Sequence, residues 1–524
     1  MSVKPPSNHS CSLARRKALL GALLAGTFCG VLLAVTSPGL PMAWDEGNAI
    51  LRAEALTQGK WLYTTQIEGH PALYGIVIAA GRAVSAAWLS PLQSARLGPI
   101  ALFSLAAGAM FYRLARERSL PAAVAGVAAL VTLPRLFAHA HFASIDGPLT
   151  SCWILAWATF AAARTSRRGA VLWGVALGAT LSAKATGWIA PIPFLLVTAA
   201  YRDRAGMKAL GVGLPVAMLA FFVLNPPLWH EPIAGSMRFF ELNLHRADQP
   251  GLNISTWFLG RMYNLDFPLP WYNTLFWTAV VVPSGTLVLA VVGLGGTSRR
   301  WRSARWEMLI VANWAILLVV RALPGAPPHD GVRLFLPSLA FLAALAGLGC
   351  DDLIGYVARR WPDRRRPVRI AGAAVLLVLL VNTVELVRYG PQWLSHYNRL
   401  IGGLPGATAA GMEPTYYWDA LDASVLDWLH AHTKPDEKVW FAAGSFENLV
   451  LMQRWGLLRR EISTDRPGTY RWYVIQHRPS AWPPVDRRLF LDGEAAYSKR
   501  LLGVPLVKVF AFEDYIEAVR EQTQ

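Results

Sequence analysis

The stretch AWDEGNAILRAEALTQGKW, Ala43 to Trp61, places two adjacent carboxylates, Asp45 and Glu46, directly after the first long apolar run of the chain. A carboxylate at such a point can take a proton from an attacking hydroxyl, or cap the helix that follows it. Four further segments carry side chains suited to the same chemistry. EGHPAL supplies Glu68 and His70, HAHFASIDGPL supplies His139, His141 and Asp146, LSAKATGW supplies Lys184, and PGAPPHDGVR supplies His329, Asp330 and Arg333. A longer one, Asn225 to Asn253, holds His230, Glu231, His245, Arg246 and Asp248. Carboxylates combined with isolated cations fit a reaction that deprotonates a nucleophile while Lys and Arg neutralise an anionic leaving group. The bland alternatives are a snorkelling Lys184, interfacial His139 and His141, and solvated loop charge at His245 and Arg246.

No histidine spacing matches an HExxH-type metal motif, and there is no Walker A, GxSxG or kinase signature. The four cysteines, Cys11, Cys29, Cys152 and Cys350, lie in or beside apolar segments and form no CxxC. The sequence assigns no cofactor and leaves a divalent metal open.

The elements that must position these residues follow from composition. The 524 residues are 54% hydrophobic and only 16% charged, too apolar for an ordinary soluble protein. The net charge of +17 does not point to nucleic acid. Six clusters, Lys4–Lys17, Arg113–Arg118, Arg164–Arg168, Arg202–Lys208, Arg299–Arg305 and Arg359–Arg369, hold 23 Lys and Arg against six acids in or beside them, which is the whole net charge. Short basic loops between apolar runs mark the cytoplasmic side of a membrane protein. Threading between them gives eleven spans, at about 18–36, 96–112, 121–138, 148–163, 170–183, 187–201, 209–226, 273–295, 308–322, 334–349 and 370–387. The amino end then lies in the cytoplasm, and the carboxyl end outside. The first span is read as retained, because its apolar region exceeds that of a signal peptide and no A-x-A site follows.

Pro71–Leu89 is also long enough to span. Spanning would put nineteen of those 23 positive charges on the translocated side, so the segment is expected to lie along the outer surface with Arg82 snorkelling. After Glu46, Ala49, Ile50, Ala53 and Leu56 make one apolar helix face. All the candidate residues then share the outer face. Activated nucleotide sugars are made inside the cell, so a transferase acting outside would draw on a lipid-linked donor, whose phosphate sits at the interface.

WDEGNAILRAEALTQGKW, EGHPALY, ASIDGPL, SAKATGW and ELNLHRADQ, in that order over about residues 15–390, resemble the membrane glycosyltransferases of the GT-C fold. The likeness is to the family 39-like group of dolichyl-phosphate-mannose–protein mannosyltransferases and aminoarabinose transferases. The resemblance implies inverting transfer from a polyprenyl-phosphate sugar to a lipid, glycan or protein acceptor at a bacterial inner membrane. It marks Asp45 and Glu46 of the Asp-Glu motif and Asp146 as catalytic, with Asp45 the base and Asp146 a supporting acid. It brings His70, Lys184, His245 and Arg246 to the donor phosphate. This chain has His70 where the aminoarabinose transferases have Lys, and no MIR-type module is visible.

Residues 390–524 change in composition. KVWFAAG, RWYVIQH and PLVKVFAF read as strands and Ala420–Ala431 as a helix, giving a small periplasmic α/β domain after a transmembrane domain of residues 1–389. The segment before it, dense in Gly, Tyr and Trp, is either an exposed linker or an acceptor-side lid using Glu413, Tyr416, Tyr417 and Trp418. Two other classes compete. A transporter would show an internal repeat with broken helices at the midplane, and none is seen. A non-catalytic envelope-assembly protein would not need carboxylates and cations converging on one face.

Overall fold

The computed structural model describes residues 8–60, 69–245, 248, 253–362, 364–459, 462 and 468–523. Glu68 and Arg246 lie outside the described residues.

Every expected span coincides with a helix or a helix pair. Among the described residues five helices are long and apolar enough to cross a membrane, within Ala14–Thr36, Pro91–Glu117, Arg204–Val223, Gly331–Arg360 and Arg365–Tyr389. Leu120–Val131 with Pro134–His141 makes a sixth, bent by 73°. The others, Asp146–Ala163, Arg167–Ala183, Pro191–Ala200 and Arg305–Ala322 among them, are shorter or more polar and pack within the bundle. The chain is thus a mostly helical membrane protein.

Two expected spans are broken rather than continuous, for one reason. Proline has no N–H and pushes the residue before it out of the helical region. Pro134 bends the first of them. Pro283 divides 273–295 into Asn273–Val281 and Ser284–Arg299. The helix at Leu73–Ser85 has 13 residues, about 20 Å of length, against a hydrocarbon core of about 30 Å. It packs on Pro91–Glu117 and Glu46–Thr57.

The centre of the bundle is the helix Leu336–Arg360, in which every residue from Leu336 to Cys350 is buried. Small residues let its neighbours approach. A Cβ on Gly349 would fall 1.8 Å from the Leu289 carbonyl oxygen, so no larger residue fits there. The periphery is inverted relative to a soluble protein. Leu19, Leu20, Leu23, Leu24, Phe28 and Val31 of the first helix are all more than half exposed, as a lipid-facing surface requires.

The two ends of the bundle differ. At one end Arg118 pairs with Glu307, Asp351 and Asp352, while Arg164 and Arg305 both pair with Asp203. These contacts gather four of the basic loops on one side. Asp45, Asp146, Lys184, Asp330 and Arg333 meet at the other end.

After Tyr389 the chain builds a four-stranded sheet of order β3-β4-β6-β5, where β3 is Glu437–Phe441, β4 Thr469–Gln476, β5 Tyr497–Leu501 and β6 Val504–Ala511. β3 and β4 are parallel; the other two pairings are antiparallel. Three of these strands match expectation, as does the helix Ala423–His432. β5 and a short hairpin, β1 Thr256–Phe258 with β2 Arg261–Tyr263, are additional.

Candidate active site

The turn after the first span ends at Asp45, the residue before the helix Glu46–Thr57. Asp45 makes no capping hydrogen bond, which removes the capping reading of its carboxylate. Its Oδ2 instead accepts from the Tyr417 hydroxyl at 2.7 Å and from Arg333 Nη1. The side chain is 34% exposed and lines a cavity of about 600 Å³, within the range of small-molecule sites.

Arg333 is the hub. Its Nη2 lies 2.7 Å from Asp330 and its Nε 3.7 Å from Asp146, so one guanidinium faces three carboxylates. Its plane also lies over the Tyr417 ring, 4.5 Å from the centroid. Asp146, the first residue of Asp146–Ala163, is fully buried and receives Lys184 Nζ at 2.6 Å. Lys184 lies between Arg167–Ala183 and a 3-10 turn, and reaches the cavity wall. His70, Arg52 and Tyr74 line the same cavity, with Arg52 Nη1 donating to the Tyr74 hydroxyl at 2.9 Å. Arg321 and His329 close another side, and Ile145, Ile189, Leu317 and Val320 supply apolar wall.

Burial pushes the His329 imidazole down to about 4, so it is neutral near pH 7 and adds no charge. Burial raises Asp330, but Arg333 and Arg478 outweigh it and hold the carboxyl well below the usual carboxylate range. Burial drives the Tyr417 hydroxyl far upward, only partly opposed by Arg333. The hydroxyl therefore stays protonated and donates to Asp45. Among the described residues no group of three or more His, Cys, Asp or Glu side chains is arranged to hold a metal ion.

Several expected site residues lie elsewhere. Glu46 is fully buried and does not line the cavity. Its oxygens receive Arg96 Nε at 2.9 Å and Nη2 at 2.7 Å, and the amides of Ala43 and Ala143 at 3.0 and 2.8 Å. Four donors satisfy it, so it anchors the turn and has no lone pair left for chemistry. His245 ends the helix Pro232–Leu244, is 70% exposed and hydrogen-bonds to Asp248, away from the cavity wall. The acceptor-side residues are not on the wall either. Glu413 is buried beside Arg478, raised by burial, and Tyr416 meets His139 Nε2 at 2.9 Å. Trp418 packs on Trp44 and under Arg478. His139 and His141 are buried within the bundle and not in an outer loop. The exposed-linker reading of this segment fails too, because Glu413 to Tyr417 are all buried.

The sequence reading had no role for Arg333, and placed Tyr417 at the acceptor. A signal for Arg333 existed, since it opens an otherwise uncharged buried run and an arginine there needs partners. Nothing local marks Tyr417.

No family model matches the chain, and no curated protein matches it. Solved structures do. ArnT from Cupriavidus metallidurans in the apo state is similar at 16% identity over 94% of this chain and 98% of that one, with a TM-score of 0.53. The same protein bound to undecaprenyl phosphate gives 15% identity, 93% and 98% coverage, and 0.50. The oligosaccharyltransferase AglB from Archaeoglobus fulgidus gives 13%, 86% and 61%, and 0.46. The fold is that of the GT-C membrane glycosyltransferases, with the family 39-like resemblance consistent with it.

Proposed function

We propose that the chain is a membrane glycosyltransferase. It moves a hexosyl or pentosyl group from a polyprenyl-phosphate donor to a lipid, glycan or protein acceptor on the outer face of a bacterial inner membrane. The observation that carries this reading is Asp45, which has one carboxylate oxygen held by Arg333 and Tyr417 and stands in the wall of a cavity that Lys184 and Arg333 also border. The similarity to ArnT bound to undecaprenyl phosphate supports the donor class.

In the proposed step an acceptor hydroxyl attacks the anomeric carbon from the face opposite the phosphate. The new C–O bond forms as the bond to the phosphate oxygen breaks, and configuration inverts. The bonding pair leaves with the polyprenyl phosphate, and the hydroxyl proton passes to Asp45. General base assistance contributes about 10²–10⁴ in rate. Lys184, Arg52 and His70 lie where cations and donors would stabilise the departing phosphate. Asp146 is a positioning residue in this scheme, because it faces Lys184 and Arg333 and not the cavity. The orientation read from the basic loops, with the amino end cytoplasmic and residues 390–524 a periplasmic domain, belongs to the same proposal.

Purified protein in detergent, given a panel of radiolabelled polyprenyl-phosphate sugars, tests it. Transfer that collapses in Asp45→Asn with expression intact is the expected result. Near-normal turnover in that variant removes Asp45 from the mechanism.

A further inference from the structure

Asp45 stands at the N-cap position, yet it leaves the first amides of its helix alone. The group that serves them comes from the other end of the chain. Gly47 N–H, one of the early helix donors with no intrahelical acceptor, donates to Asn448 Oδ1 at 2.7 Å, across 401 residues. Asn448 Nδ2 in turn donates to the Ala43 carbonyl at 2.9 Å. We propose that Asn448 is a positioning residue that replaces Asp45 as the cap of its own helix, and so frees the Asp45 carboxylate for the cavity. This rests on the glycosyl-transfer reading only for its consequence in rate; the capping exchange is a separate matter of geometry.

Four observations converge on it. Asn448 belongs to the helix Phe446–Arg454 and is buried at 8% exposure, so its amide is not a surface group in passing contact. Its two bonds fall two residues before and two residues after Asp45, and an amide is one of the few side chains that can both accept and donate at one site. Gly47 is required by the approach. A Cβ there would lie 2.5 Å from Asn448 Oδ1 and 2.7 Å from the Glu447 backbone. The Asp45 backbone is helical, with φ −85° and ψ −4°, whereas a residue that caps with its own side chain sits in the β region. Asn448 holds Ala43 and Gly47 together around that conformation. The Trp44 amide, donating to the Tyr417 carbonyl at 3.0 Å, fixes the turn a second time from the C-terminal segment.

Removing the Asn448 amide leaves the Gly47 N–H in need of an acceptor. Glu46 beside it is already saturated by Arg96 and two amides, so the next carboxylate in sequence is Asp45 itself. It is expected to swing into the ordinary capping geometry and leave Arg333, Tyr417 and the cavity. The α/β segment would thus contribute to chemistry by keeping the proposed general base from its default structural job.

The test is a double-mutant cycle with kinetics. Asn448→Ala should lower kcat at least tenfold with donor KM within about twofold, because the cavity cations stay in place. Asn448→Asp keeps an oxygen for Gly47 and should lose markedly less. The readout that needs no transfer activity is thermal stability in detergent. Asp45→Ala removes the Arg333 and Tyr417 contacts in the wild-type background and the helix cap in the Asn448→Ala background, so the Tm losses of the two single substitutions should not add in the double variant. Equal effects of Asp45→Ala in the two backgrounds overturn the capping exchange, whatever the assay of transfer says. Equal losses of kcat in the alanine and aspartate variants, or a fall in turnover that only tracks the folded fraction, overturn it as well. If the wild type transfers no sugar from any donor, the enzymatic reading fails and the stability cycle still decides the capping exchange.

Discussion

Arg333→Lys keeps the charge and removes the geometry. In the wild type, three different nitrogens of one planar guanidinium face Asp45, Asp330 and Asp146. A lysine offers one ammonium on a flexible stem, so it can replace at most one of the two close contacts. Asp330 keeps Arg478 Nη2 at 3.1 Å and Asp146 keeps Lys184, so neither is left as an isolated buried charge. The expected loss is therefore near one hydrogen bond to a charged group, about 1.5–3 kcal/mol, and not the cost of orphaning a buried carboxylate. If the Asp45 contact is the one lost, 1.4 kcal/mol per decade makes this roughly a 10- to 150-fold fall in kcat/KM. Asp45 is a third exposed, so water can replace part of the contact and the lower end applies first. Transfer kinetics with saturating acceptor, together with Tm in the same detergent, measure both sides. Turnover within twofold of wild type would show that Arg333 does not orient Asp45. A fall in Tm large enough to account for the lost activity would make it purely structural.

Other outcomes follow from the same geometry. Glu46→Gln leaves Arg96 charged in a buried site, where breaking a pair costs about 3–5 kcal/mol; carbonyls of Ser37, Leu40 and Pro41 still receive Arg96. The lower end is therefore expected, read as reduced Tm and yield. His245→Ala should leave donor KM and kcat unchanged, since His245 is exposed and off the cavity wall; a tenfold change would return it to the site. Asp419 is fully buried with neither carboxylate oxygen hydrogen-bonded among the described residues, and burial raises it to about 6. Its folded-state pKa lies above the unfolded value, so the native state holds the extra proton and stability falls as pH rises from about 4 to about 6, then levels. Asp419→Asn should accordingly raise Tm at pH 7.5 and change it least near pH 4; a uniform shift across that range would contradict this.

The parts of this protein legible in the sequence are those set by local composition. Hydrophobic runs must meet a bilayer of fixed thickness, and basic residues in short loops set the side. Both are properties of segments about 20 residues long, which is why the helices at all eleven expected positions are legible in the sequence. Two helix breaks were missed although Pro134 and Pro283 stood in plain view, because hydropathy averages over a proline. Strands β3, β4 and β6 announced themselves through their apolar, β-branched and aromatic runs, while the polar β5, YSKRL, is held by its hairpin partner. Of the ionisable groups beside apolar spans expected at the site, where an unpaired charge is costly, Asp45, His70 and Lys184 line the cavity, while Asp146, Glu46 and His245 do not. The sequence could not say which member of the carboxylate pair faces the cavity. Asp45 and Glu46 are adjacent and chemically alike, yet Arg96, fifty residues on, takes Glu46 into the core, while Arg333 and Tyr417, 288 and 372 residues on, hold Asp45 at the cavity. Those partners are brought close only when helices pack at distances and angles that no local pattern encodes. The sequence places ionisable groups beside apolar runs, and packing decides which of two adjacent carboxylates borders the cavity.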